Sequence, residues 1–240
     1  MITVTCQHCG TLNNYNGKNP YFNCHNKKCG YKIFIKNTTP TQPPTQGITH
    51  LDINLTTTKD RIRLIPWGDV HVGAKTCDWK KACRELKYIQ DTPDTYLIGM
   101  GDYMDCAIKM GGHGPSPFNS EYMPMEQFTI LEETLKPLAD AGKILGMHGG
   151  NHERWITELT GIDIINLLCR SLKVPYLGEG CDTNIQVNNT KYTIYSQHGA
   201  SSAKLKHTKM GALINATRDI YADIYLMGHM HQIGAIKGGK

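Results

Sequence analysis

Short apolar runs and stretches of helical period alternate along most of this chain. Ile62, Leu64 and Ile65 predict a strand that runs out at Trp67-Gly68-Asp69. A helical period follows over 82–90, then a strand over 95–99 that leads into Met100-Gly101-Asp102. A second helix is expected over 125–138, with Pro137 marking its end. A strand over 144–147 leads into Gly150-Asn151-His152-Glu153, and a helix over 162–172 comes next. Two runs at 184–187 and 191–196 flank Asn188-Asn189 and predict a hairpin. Helical periodicity over 203–220 and a strand over 223–227, ending at Gly228-His229-Met230-His231, complete the pattern. Alternation of this kind predicts an α/β domain over 48–240.

The first 36 residues follow a different logic. They hold two cysteine pairs, Cys6/Cys9 and Cys24/Cys29, each closed by a glycine, with β-type stretches at 21–23 and 31–35. So short a segment cannot bury a self-sufficient core, and four thiolates suit the tetrahedral site that Zn²⁺ prefers. The unit 1–36 resembles a zinc ribbon holding one structural Zn. The second pair has four residues between its cysteines where two is usual, so His8 or His25 could replace a thiolate. Residues 37–47 are rich in Pro and Thr without an apolar period, and read as a linker.

Composition narrows the class. Of 240 residues 40% are hydrophobic and 20% charged, which rules out collagen-like, coiled-coil and disordered chains. No run approaches the ~20 apolar residues of a membrane span. The start lacks a signal peptide's apolar core, and five further cysteines are scattered without pattern, so a reducing, cytoplasmic location without membrane contact is expected. Six Lys face two Asp over 1–60, whereas 20 basic face 19 acidic residues beyond. The basic excess therefore sits at the N-terminal end and hints at a polyanionic partner.

Most predicted strands end in a Gly-flanked polar cluster, and strand ends are where α/β sheets form sites. In order these are Asp69-Val70-His71, Gly101-Asp102, Gly150-Asn151-His152-Glu153, His198-Gly199 and Gly228-His229-Met230-His231. Carboxylates together with imidazoles suit Mn, Fe or Zn rather than Ca or Mg.

Taken in this order, the five clusters resemble the motif set of calcineurin-like metallophosphoesterases, over most of the chain beyond the linker. The resemblance implies an αββα sandwich with two divalent metals (manganese, iron or zinc) at its strand ends. It implies Asp69, His71 and His231 on one ion, Asn151, His198 and His229 on the other, and Asp102 bridging both. It places His152 off the metals, beside the phosphoryl or leaving-group oxygen. Arg154 could grip a phosphate oxygen or pair with an acid such as Glu153. His113 and a helix carrying His207, Lys204, Lys206 and Lys209 read as solvated surface.

Metal-dependent phosphoester hydrolysis is the expected activity. The ribbon and the basic N-terminal end favour a DNA-binding nuclease or a phosphodiesterase acting on nucleic acid. Alternatives are a phosphatase of proteins or small molecules, or a non-catalytic metal-binding scaffold. Members of the family usually continue further after the last motif, so a strand over 232–237, or a partner chain, is expected to complete the fold.

Overall fold

The computed structural model describes residues 2–6, 9–15, 21–29, 32–34, 48–59, 61–108, 120–199, 211, 213–215, 218, 220–231 and 234. The chain divides into two compact units, Met1–Thr45 and Gln46–Lys240.

The first unit contains two antiparallel hairpins. Strand β1 (Ile2–Thr5) pairs with β2 (Leu12–Tyr15), and β3 (Tyr21–Asn23) pairs with β4 (Lys32–Phe34). Each turn carries one cysteine pair. Gly10 closes the first turn at φ 72° and donates its N–H to Cys6 O at 2.8 Å. A left-handed residue is needed there, and glycine adopts it without steric cost.

The second unit is mixed α/β. Its strands are β5 (Ile48–Leu55), β6 (Arg63–Trp67), β7 (Thr95–Gly99), β8 (Ile144–His148), β9 (Tyr176–Gly178), β10 (Gly180–Val187), β11 (Thr190–Gln197) and β12 (Ile224–Met227). Its helices are α1 (Trp79–Asp91), α2 (Pro124–Asp140), α3 (Asn151–Thr160) and α4 (Ile164–Leu172). One sheet, β6-β7-β8-β9, is wholly parallel. The other, β12-β11-β10-β5, is mixed, with an antiparallel β10–β11 hairpin between two parallel pairs.

The side-chain period of a strand explains how these layers stack. Leu97 of β7 packs with Leu86 and Ile89 of α1, Leu131 and Leu135 of α2, and Leu168 of α4. Its neighbour Ile98 points the other way and packs with Leu177 and Cys181, near Leu51 and Leu226 of the second sheet. Leu145, Ile185 and Ile194 extend that intersheet core. A parallel strand buried on both faces reads as a continuous apolar run, as β7 and β8 do.

Several elements depart from expectation. Pro137 does not end α2; the helix runs three residues further, and Pro137 O accepts the N–H of Ala141 at 3.2 Å. A proline near a helix C-terminus forfeits one intrahelical bond while the last turn still closes. Helix α1 starts three residues early because Asp78 caps it, accepting Lys81 N–H at 3.0 Å. Asn151, His152 and Glu153 form the first turn of α3, a helix the sequence expectation does not contain. Strands β5 and β9 have no counterpart in the sequence expectation. The expected linker and the strand over 232–237 (Gly234 apart), as well as His113 and His207, lie outside the described residues, as does most of the helix over 203–220. Among the described residues no helix is long and apolar enough to cross a membrane.

Candidate metal centre

Strands β6, β7 and β8 of one sheet and β11 and β12 of the other deliver their following residues to one place. Backbone bonds stitch the ends together: Asp69 N–H to Gly101 O (2.9 Å), Val70 N–H to Asp102 O (2.9 Å) and Val72 N–H to Tyr103 O (2.8 Å). Asp69 Oδ1 also accepts the N–H of His229 at 2.9 Å, which ties the first sheet to the second. A Cβ at position 150 would stand 2.1 Å from Asp102 Oδ1, so only glycine admits the close approach.

The backbone turns sharply where the donors sit. Asp69, His71, Asp102, His229 and His231 are all left-handed, with φ from 47° to 67°. Non-glycine residues avoid this region, at a cost of roughly 1–3 kcal/mol each, and such residues cluster at functional sites.

Three donor groups result, each with ligand atoms within 4.8 Å of one another: Asp69/His71/His231, Asp102/His198/His229 and His71/Asp102/His152. Asp102 Oδ2 lies 3.8 Å from His71 Nε2 and 3.3 Å from His198 Nε2, between the first two groups. Asn151 Oδ1 is 3.0 Å from His198 Nε2 and so joins the second. One ion about 2.1 Å from each donor spans separations of this size.

The protonation pattern suits a cation. His198 Nδ1 faces Met100 O at 2.7 Å. A carbonyl only accepts, so Nδ1 carries a proton, the usual way a protein orients a ligand histidine. Burial works against charge on His198, but the Asp102 carboxylate 3.3 Å from Nε2 outweighs it and raises the group, so a metal at Nε2 takes the place of a proton. Burial, with His152 nearby, pushes His71 down to about 4, so it is neutral at ordinary pH. Among the described residues its Nδ1 is buried without a hydrogen-bond partner, and its Nε2 faces His231 Nε2 at 3.2 Å. Burial tends to raise Asp102, but the hydrogen bond and charge of His198 outweigh it and hold the carboxyl near 2. Burial raises Asp69 as well. The carboxylate oxygens and imidazole nitrogens that converge here form a donor set that fits divalent metal once the proton on His198 Nε2 is displaced.

His152 stands beside this set. Its Nδ1 donates to Asp105 O at 2.8 Å, with the Asp105 carboxylate 3.7 Å away. Its ring centroid lies 4.3 Å from that of His71 and 4.3 Å from Trp155. The third donor group includes His152, so geometry alone brings it within reach of metal. Arg154 pairs with Glu179 at 2.7 Å on the surface, and not with Glu153.

Three side chains here have roles that the sequence reading did not assign. Glu153 is fully buried and accepts the N–H groups of Asp102 (3.1 Å), Met104 (2.9 Å) and Gly150 (2.9 Å). Burial and the charge of Asp102 push it up to about 7. Its place three residues after Gly150 is a helix-start signal that was legible. Asp105 sits three residues after Asp102 and orients His152. His148, 0% exposed, bridges the sheets, with Nδ1 donating to Gly178 O (2.9 Å) and Nε2 accepting from Ser196 Oγ (2.8 Å). Nothing in the sequence announced that pairing.

In the first unit the four cysteines form a separate group. Sulfur separations are 3.8 Å for Cys6–Cys29 and 3.6 Å for Cys9–Cys24. Four sulfurs ~2.3 Å from a tetrahedral ion stand ~3.8 Å apart, so the set fits Zn²⁺. Hydrogen bonds with Thr11 pull the Cys9 thiol down to about 6, toward the ligating thiolate. His25 is exposed and outside the group; His8 lies outside the described residues.

Comparison with protein-family models, with curated proteins and with solved structures gives no match to this chain.

Proposed function

We propose that this chain is a two-metal phosphoester hydrolase of the calcineurin-like kind, an αββα sandwich preceded by a zinc ribbon, and that it acts on nucleic acid. The observation that carries the reading is Asp102, whose carboxylate lies between two imidazole-bearing donor sets at the joined ends of two sheets. Asp69, His71 and His231 would hold one divalent ion, and Asn151, His198 and His229 the other. The ions would neutralise phosphate charge and lower the pKa of water enough to make it a nucleophile at neutral pH.

The chain's own groups account for the rest. Hydrolysis forms a bond from water oxygen to phosphorus and breaks the bond from phosphorus to the leaving oxygen, which must gain a proton. His152, in the imidazolium form with Nδ1–H held by Asp105 O, would deliver that proton from Nε2–H and be left neutral. Trp155 against its ring limits where the imidazole can turn. Glu153 fixes the backbone of Asp102 relative to α3, and so Asp102 relative to Asn151 and His152. The basic N-terminal end supports a polyanionic substrate.

The test combines elemental analysis with turnover of bis(p-nitrophenyl) phosphate, p-nitrophenyl phosphate and single-stranded DNA in Mn²⁺. The expected result is two ions beyond the ribbon's zinc and hydrolysis of the diesters. Asp102→Asn should strip at least one ion and abolish turnover. A variant that keeps both ions ends the bridging assignment, and activity on the monoester alone turns the reading to a phosphatase.

A further inference from the structure

Two clefts meet on one side of the candidate centre. The first, about 240 Å³, is lined by Asp69, His71 and His231 and continues to Lys81 and Glu85 of α1. The second, about 370 Å³, begins at the same Lys81 and Glu85 and runs between α1 and β6, past Arg84 and Tyr88, over Ile65 and Pro66. Among the described residues β6 is an edge of its sheet, with no further strand on this side.

Helix geometry explains why these side chains share one wall. Lys81, Arg84/Glu85 and Tyr88 recur at three, four and seven residues, while Ala82, Leu86 and Ile89 face the core. Asp78 caps the helix and Asp91 lies 2.8 Å from Lys87; Glu85 lies 3.8 Å from Lys81 in an exposed pair weak enough for a phosphate to displace. Lys80 is exposed at the same end. Among the described residues Arg84 has no ion-pair partner, and Tyr88 is 50% exposed. From Lys81 to Tyr88 the helix rises about 10 Å, roughly three nucleotides of a stacked strand.

Resting on the hydrolase reading above, we propose that this joined cleft is the path of a single-stranded nucleic acid leading away from the scissile phosphate. Lys81 and Arg84 meet its phosphates, and Tyr88 stacks a base. Basic side chains interleaved with an aromatic ring form the usual surface for an unpaired strand, whose bases are free to stack. The apolar floor of Ile65 and Pro66 suits base and sugar faces. Continuity with Asp69, His71 and His231 gives the path its end at the reacting phosphate.

The full chain with its metals is mixed with a labelled twelve-nucleotide thymidine strand, and anisotropy is read in the first seconds over a series of salt concentrations. A strand of abasic sugar-phosphate is the control. Lys81→Glu and Arg84→Glu are expected to weaken binding severalfold and to flatten the log–log salt slope, by about 0.7 for each phosphate that is no longer neutralised. Tyr88→Ala should weaken the thymidine strand at least about fivefold, the low end of an aromatic–base stack, and leave the abasic strand unaffected. All three positions are exposed, so an unchanged Tm confirms that the variants are folded. An unchanged slope in both charge variants, or equal loss of both strands in Tyr88→Ala, overturns the path. Hydrolysis of bis(p-nitrophenyl) phosphate by the unaltered chain is measured alongside; its absence ends the hydrolase reading whatever the strand does.

Discussion

Glu153 accepts the backbone N–H of Asp102 at 3.1 Å, while Asp102 accepts the backbone N–H of His152 at 3.0 Å. The two carboxylates therefore clasp the loop after β7 and the first turn of α3 in both directions. One carries the shared donor, and the other never reaches the centre.

That clasp can be opened by one atom. In Glu153→Gln an NH₂ group must replace one of the oxygens that now accept from Met104, or from Asp102 and Gly150. A donor then faces a donor in a dry place, at a cost of about 1–3 kcal/mol. Displacing Asp102 should weaken metal binding about 10–100-fold, as loss of other outer-sphere partners does. Urea unfolding and metal titration measure the two effects; unchanged metal affinity would mean that Glu153 serves stability alone.

His152→Ala should separate substrates by leaving group. A sugar alkoxide leaves poorly and needs a proton, whereas nitrophenolate leaves readily unaided. Cleavage of DNA or RNA should fall about 10²–10⁴-fold and nitrophenyl-ester hydrolysis much less, with both metals retained. Equal losses accompanied by lost metal would instead make His152 a ligand, the role its place in the third donor group allows.

Acid should loosen the joint between the sheets. Burial pushes His148 down from 6.5 to about 4. Between those values the unfolded chain binds a proton at this position and the folded chain does not. Its contribution is thus complete above about pH 6.5 and is lost as pH falls toward 4. His148→Gln keeps a donor for Gly178 and an acceptor for Ser196 without titrating. The drop in unfolding free energy between about pH 7 and about pH 5 should be smaller in this variant than in the parent, by an amount on the order of 1–3 kcal/mol. Identical drops by urea titration would show that other groups govern the acid response.

The ribbon should fail independently. Cys6→Ser with Cys9→Ser removes two of four sulfurs, and the short unit lacks a core to hold it without metal. Bound zinc should fall by one per chain, while hydrolysis of a small chromogenic ester stays nearly constant. A matching loss of that activity would make 1–36 part of the hydrolytic unit.

Much of this architecture was legible because the parallel strands are buried on both faces and announce themselves as apolar runs ending in glycine. Asp102 and Asn151, which follow β7 and β8, were legible for the same reason, whereas His198, His229 and His231 follow the half-exposed β11 and β12 and stood out by their Gly-flanked histidines alone. Strand β5 was missed although exposed His50, Asp52 and Asn54 alternate with half-buried Leu51, Ile53 and Leu55; exposed Ile48 and half-buried Thr49 break that pattern at its start. Helix α3 was missed because Asn151, His152 and Glu153 were read for their chemistry, although Glu153 three residues after Gly150 marks a helix start and closes the first turn on Gly150 N–H. The His148–Ser196 hydrogen bond joins residues 48 apart in the chain, and only the stacked sheets bring them together.

Among the described residues, strand β12 is four residues long, stands at the edge of its sheet and pairs with β11 alone. Just beyond it come His229 and His231, one in each of the two outer donor groups. Peeling this one short ribbon would withdraw a donor from both ions at once, with the rest of the core intact. Edge strands open far more readily than whole domains. The residence time of bound metal would then be set by this local fraying and not by global unfolding. Hydrogen exchange at the amides of Tyr225 and Leu226 should keep pace with the rate at which a chelator captures the ions.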